Sequence, residues 1–261
     1  MNYEYFALTD PGLVRENNED AVATDADNQV AVLADGMGGY NAGEVASAMA
    51  TTFIKSELGR WMAEGGGEAS AREVKRAMEI CIDNANRSIF NAANVHPEYA
   101  GMGTTLVMGV FQGARALIGH VGDSRCYRLR GDHFVQLTRD HSLLQEQIDA
   151  GLISLEQARY ATHKNLVTRA LGVEDSVLLE VNEYRAEDGD LYLMCSDGLS
   201  DMVPDERIAS ILMSARPLEE RAHALIDAAN QSGGRDNISV ILIAARSTPL
   251  RRGLLSRMLG H

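Results

Sequence analysis

The sequence predicts an α+β fold, a four-layer αββα sandwich in which two antiparallel β-sheets pack face to face between helices, with a helical flap added. Three observations predict it. Five short apolar runs are continuous rather than alternating, which marks strands buried on both faces. Strands and helices come in clusters, not in the steady alternation of βαβ units. A strand buried on both faces needs a helix on one side and a second sheet on the other, and the sandwich supplies both.

The elements follow in order. VAVLA (30–34) is the first apolar run, and the acidic stretch RENNED (Arg15–Asp20) stands directly before an expected strand. Val45, Met49, Phe53, Leu58 and Met62 recur at near-helical spacing, as do Val74, Met78, Ile82, Ala85 and Ile89, so two long helices are expected with EGGGE (64–68) as the loop between them. TTLVMGV (104–110) and RALIGHV (115–121) read as strands. Residues 141–176 differ in character: HSLLQEQIDAG predicts a short helix stopped by Gly151, and SLEQ (154–157) has the spacing of a capping box that starts another. This excursion is read as a flap. LYLMC (191–195) is a strand, residues near 205–214 and 218–231 are two shorter amphipathic helices, and ISVILIAA (238–245) is the last strand. Residues 1–247 therefore read as one domain. The tail at 248–261, with PLRRGLLSRMLGH, mixes arginines with leucines. It is read as a frayed terminus, the alternative being an amphipathic helix that touches a membrane or a partner.

Composition narrows the function. A net charge of −13 on 261 residues argues against a nucleic-acid binder, which needs clustered lysine and arginine. Cys81, Cys126 and Cys195 are widely spaced and form no CxxC pair, so buried thiols in a reducing compartment are expected rather than disulfides or zinc. The start, MNYEYFALTD, lacks the basic and apolar regions of a signal peptide, and no apolar run approaches the roughly 18 residues of a membrane span. The expected setting is the cytoplasm.

One feature repeats where apolar runs end. LADG carries Asp35, HVGDSR carries Asp123, MCSDG carries Asp197 and GGRDN carries Asp236, while RENNED adds Glu19 and Asp20. A lone Asp-Gly is usually a turn. Several at strand ends can converge, because a sandwich brings those ends together. Packed acids repel unless they are protonated or bridged by cations. All-oxygen clusters suit Mg²⁺ or Mn²⁺, and a neighbouring glycine lets a backbone carbonyl approach the ion. Other chemistries fail on spacing. There is no GxxxxGK[ST] loop, GxGxxG fingerprint, HExxH helix or GxSxG elbow. His120, inside an apolar strand, reads as a hydrogen-bonded core histidine rather than a ligand.

The ordered set GLVRENNEDA, LADGMGGYNAGE, GTTL, VGDSR, NLVTRALG, CSDGLSDMV and GGRDNISV resembles the protein phosphatase 2C family, the metal-dependent PPM serine/threonine phosphatases, in its compact bacterial form. The resemblance runs from about Gly12 to Val240. It implies that Asp35 bridges two metal ions, with the Gly36 carbonyl on one and Asp197 and Asp236 completing the other. Glu19 and Asp20 would act largely through water, Asp20 also as a direct ligand, with Asn237 in support. Asp123 with Asp197 matches a third, weaker metal site, and Arg15 the phosphate clamp. The implied cofactor is Mn²⁺ or Mg²⁺, two or three ions, which would activate water without a protein nucleophile. The alternative for Arg15 is a surface ion pair with Glu16 or Glu19. Tyr40 departs from the pattern, since many bacterial relatives carry histidine there. Tyrosine, with an ordinary pKa near 10, donates a proton less readily, so Tyr40 is read as a possible substrate contact. The implied partners are phosphorylated proteins and, as functional opponent, a serine/threonine kinase. No nucleic acid and no membrane span are expected, and the chain is expected to be monomeric. Two other readings use the same residues: a non-catalytic phosphoprotein-binding module, and a hydrolase of small phosphate esters.

Overall fold

Side-chain alternation along the strands sorts the core into three apolar layers. In VAVLA, Val30, Val32 and Ala34 belong to one layer while Ala31 and Leu33 belong to another. Successive side chains of a strand point to opposite faces, so a continuous apolar run must be covered twice. A computed structural model describes residues 1–38, 42–158 and 166–247. Its elements in chain order are β1 (Asn2–Asp10), β2 (Asp20–Asp25), β3 (Val30–Met37), α1 (Ala42–Ala63), α2 (Ala71–Val95), β4 (Gly103–Thr104), β5 (Leu106–Gln112), β6 (Arg115–Val121), β7 (Arg125–Arg130), β8 (His133–Gln136), α3 (Leu143–Asp149), α4 (Leu155–Ala158), β9 (Glu180–Arg185), β10 (Leu191–Cys195), α5 (Asp197–Ser200), α6 (Asp205–Leu212), α7 (Leu218–Gln231) and β11 (Ile238–Arg246).

Two antiparallel sheets result. One has the order β1-β11-β10-β7-β8, the other β2-β3-β5-β6-β9 with β4 added beside β3. Helices α1 and α2 cover the outer face of the second sheet, through residues such as Ile54, Leu58, Met78 and Ile82 against Val32, Met108 and Leu117. Helices α5, α6 and α7 cover the first, with Leu199, Ile208 and Leu225 against Leu193 and Val240. Between the sheets lie Leu33, Val107, Phe111, Ile118, Tyr192, Met194 and Ile241. The four layers are those the sequence predicts.

The continuous apolar runs all lie in strands, and the long helices fall where the spacing places them. TTLVMGV is divided, however: Thr104 belongs to β4, and β5 starts at Leu106, because the Thr105 N–H turns to the Asp35 carbonyl at 2.8 Å. Strands β1, β8 and β9 lie at sheet edges and mix exposed with buried positions, so their sequences show no apolar run. The flap helix α3 ends before Gly151 as expected. The SLEQ capping box forms: the Ser154 N–H donates to Gln157 Oε1 at 2.8 Å and the Gln157 N–H to Ser154 Oγ at 3.2 Å. Ser142 bridges to Val167, so the two ends of this excursion meet at its base. Tyr40 and the tail at 248–261 lie outside the described residues. Among those described, no helix is long and apolar enough to cross a membrane.

Candidate metal centre

The alternation that builds the core also aims the acids. Asp20 and Asp35 stand opposite each other on β2 and β3. Each lies two residues before or after an inter-sheet side chain, Val22 and Leu33, and therefore faces the same layer. From the other sheet, β10 ends at Cys195 and delivers Asp197 at the start of α5, while Asp236 lies two residues before β11. Asp123 sits in the turn between β6 and β7. Strand ends of both sheets thus bring five carboxylates to one edge of the sandwich.

Electrostatics record how closely they crowd. Burial pushes Asp35 well above the usual carboxylate range, and Asp20, Asp197, Asp123 and Asp236 push it further. Asp197 is raised likewise, by burial first and then by Asp123, Asp201, Asp236 and Asp20. Burial raises Asp20 to about 6, against a hydrogen bond donated by Ser196 Oγ to its Oδ2 at 2.7 Å. Asp123 also rises to about 6, by burial and then by the charge of Asp140. Among the described residues, Asp20 Oδ1 is buried and has no hydrogen-bond partner. An orphaned carboxylate oxygen among four other acids is the donor set a hard divalent cation takes.

The surrounding loop is held firmly. Asn237 Oδ1 accepts the Glu19 N–H at 2.8 Å, and its Nδ2 donates to the carbonyls of Pro11 at 3.0 Å and Asn17 at 2.8 Å. The Glu19 carbonyl accepts from the Gly36 N–H at 3.0 Å and from Ser47 Oγ at 2.5 Å. A Cβ on Gly36 would lie 2.1 Å from the Gly43 carbonyl oxygen, so only glycine lets β3 pass this close to the start of α1. Burial raises the Glu19 carboxyl and Arg15 opposes that rise. Arg15 does not pair with Glu16 or Glu19. Its Nη2 donates to Asp236 Oδ2 at 2.7 Å, across the site, because the loop carries it over the carboxylate cluster. A cleft of about 400 Å³ opens from Asp123 and Asp197 towards Ser142 and Gln145 of the flap.

The structure brings Arg15, Glu19, Asp20, Asp35, Gly36, Asp123, Asp197, Asp236 and Asn237 together. His120 is a buried core histidine, its Nε2 2.7 Å from the Arg139 carbonyl. Sequence reasoning missed the hydroxyls behind the acids. Ser196 bonds Asp20, Thr105 Oγ1 accepts the Asp35 N–H at 3.3 Å, and Thr104 Oγ1 donates to the Asp35 carbonyl at 2.9 Å. The signal for Ser196 and Thr105 was strand parity, since each lies two residues from an inter-sheet apolar residue, Met194 and Val107. Asp201 was legible as the residue one helical turn beyond Asp197.

Two facing antiparallel sheets thus carry at one edge an all-oxygen acidic centre, the donor set of a protein that binds hard divalent cations. The chain belongs to the protein phosphatase 2C family, whose model matches residues 14–239. It is 40% identical over 238 residues to the serine/threonine phosphatase stp of Listeria innocua, covering 90% of this chain and 93% of that protein. The crystal structure of the Mycobacterium tuberculosis serine/threonine phosphatase PstP/Ppp superposes with a TM-score of 0.87 at 36% identity, covering 95% of this chain and all of that one. The catalytic domain of PstP in complex with two manganese ions superposes with a TM-score of 0.83 at 36% identity, covering 94% of this chain and 99% of that one.

Proposed function

We propose that the chain is a metal-dependent protein serine/threonine phosphatase that hydrolyses phosphoserine and phosphothreonine, opposing a serine/threonine kinase in the cytoplasm. The observation that carries this reading is the convergence of five carboxylates from both sheets around a buried, unsatisfied Asp20 oxygen. Asp35 and the Gly36 carbonyl, with Asp20, Asp197 and Asp236, would hold two Mn²⁺ or Mg²⁺ ions. Asp123 with Asp197 would hold a third, weaker one. Ions bound there supply an activated water at neutral pH and offset charge on the phosphoryl oxygens.

The chain's own residues do the rest. Asp35, on which Asp20, Asp197, Asp123 and Asp236 all act, would hold the ions that supply the water and so place it for in-line displacement. Arg15 is half exposed at the rim, and its guanidinium can exchange Asp236 for two phosphate oxygens while keeping its charge. Glu19 and Asn237 keep the Arg15 loop against β3. The catalytic domain is assigned to residues 1–247, with the flap at about 141–176 bordering the cleft. The three cysteines are buried and unpaired, which is compatible with a reducing compartment.

Hydrolysis of p-nitrophenyl phosphate with Mn²⁺, and then with EDTA, tests the reading. Turnover should require the metal. Asp197→Asn should lower kcat by about 100-fold or more with the circular dichroism spectrum unchanged, as expected when a preorganised electrostatic group is lost. Absence of Mn²⁺-dependent turnover at every pH would sink the proposal. Preference for small esters over phosphopeptides would reassign the substrate.

A further inference from the structure

His120, His141 and Glu180 form a second group of metal-ligating side chains, their candidate atoms within 4.8 Å of one another. The geometry argues against an ion. The two imidazoles stack, with centroids 4.6 Å and planes 16° apart. Nearly parallel rings cannot both aim in-plane lone pairs at one ion about 2 Å away. Hydrogen bonds also commit the nitrogens. His120 Nε2 faces a carbonyl and must donate. His141 Nδ1 accepts the Gly122 N–H at 3.2 Å, so in the neutral ring the proton lies on Nε2, which faces Glu180 Oε2 at 3.5 Å.

Gly122 is where this group meets the acidic centre. Its φ is +101°, and a Cβ there would lie 2.7 Å from Thr105 Cβ, so the turn is reserved for glycine. Its carbonyl accepts the His141 N–H at 2.9 Å. Both polar groups of Gly122 are thus committed to His141. Asp123 follows, and beyond it Ser124 Oγ lies 2.7 Å from Thr105 Oγ1. Asp123 is therefore bracketed, by His141 on one side and by Thr105 on the other.

We propose that His141 is a positioning residue for Asp123: its Nδ1 fixes the Gly122 peptide, and through it the direction in which the Asp123 carboxylate meets Asp197 at the weaker ion site. The inference rests on the metal-centre reading above. Two substitutions separate the nitrogens. Asparagine places Oδ1 where Nδ1 stands, and glutamine places its amide near the position of Nε2.

Calorimetric titration with Mn²⁺ of the wild type, His141→Asn and His141→Gln tests it. The wild type and the Asn variant should bind two tight ions and one weaker ion. The Gln variant should keep the tight pair, which reports that it has folded, and bind the weaker ion about tenfold less well, the order expected for one lost buried hydrogen bond. Equal weak-site affinity in the Asn and Gln variants overturns the proposal. Should the Gln variant fail to fold, amide hydrogen exchange of the wild type decides. A Gly122 N–H protected relative to the exposed Gly131 of the β7–β8 turn supports the proposal, and equal exchange overturns it. If no Mn²⁺ binds to the wild type, the metal-centre reading fails and takes this one with it. If three ions bind and the Gln variant matches the wild type, this proposal fails alone.

Discussion

His141 is held neutral in the folded chain. Burial, then His120 and Arg169, push its pKa down to about 4, against the pull of Glu180. The unfolded chain titrates this ring at its ordinary value near 6.5. Between those values the unfolded state binds a proton that the folded state refuses. The stabilisation is therefore complete above pH 6.5 and is lost as pH falls towards 4. His141→Asn does not titrate there, so its urea midpoint should fall less between pH 7 and pH 5 than that of the wild type. An equal fall in both would show that His141 is not held neutral. At this scale the acids and Asn237 were legible and the hydroxyls behind the acids were not. Asp35, Asp197 and Asp236 announce themselves as aspartates beside glycine or after a glycine-rich turn. Ser196 and Thr105 are ordinary hydroxyl residues until the strand face they occupy is known.

Helix α2 shows how an element is fixed by its first turn. Ser70 caps it: the Glu73 N–H donates to Ser70 Oγ at 3.4 Å, and Glu73 Oε2 accepts the Ser70 N–H at 2.8 Å. Its apolar face, with Val74, Met78 and Ile82, packs on the sheet of β5 and β6. Ser70→Ala should cost about 1 kcal/mol, or about 2–4 °C in Tm. Calorimetry checks this, and an unchanged Tm would mean that the cap adds nothing beyond packing. Strands were legible in proportion to their burial. β5 and β10 are buried throughout and read directly from sequence. β1 and β9 are edge strands whose polar residues meet water, so their pairing partners, not their own composition, make them strands.

At the level of the whole molecule, the crowded acids set folding against function. A chain of net charge −13 gathers five carboxylates at one edge of its sandwich. Burial and mutual repulsion there oppose folding, and bound cations relieve both. Ions that bind the folded state alone stabilise it by mass action, by about 2.7 kcal/mol per site at one hundred times Kd. Each occupied site should therefore raise Tm by about 5–10 °C with Mn²⁺, and EDTA should reverse the rise. A Tm indifferent to Mn²⁺ would show that the acids are satisfied without ions.

The pairing of β1 with β11 has a consequence in time. Asn2 aligns with Arg246 and Asp10 with Ile238, so among the described strands the earliest lies beside the latest. Asp236 stands two residues before β11, and Asn237 between them reaches back to Pro11 and Asn17. During synthesis from the N terminus, β1 waits without this neighbour until all the strands and helices between them have been made. The acidic edge closes at that same late moment. A nascent chain therefore holds a pair of opposed acids, Asp20 and Asp35, long before it holds a centre, and competence arrives with β11 rather than by degrees.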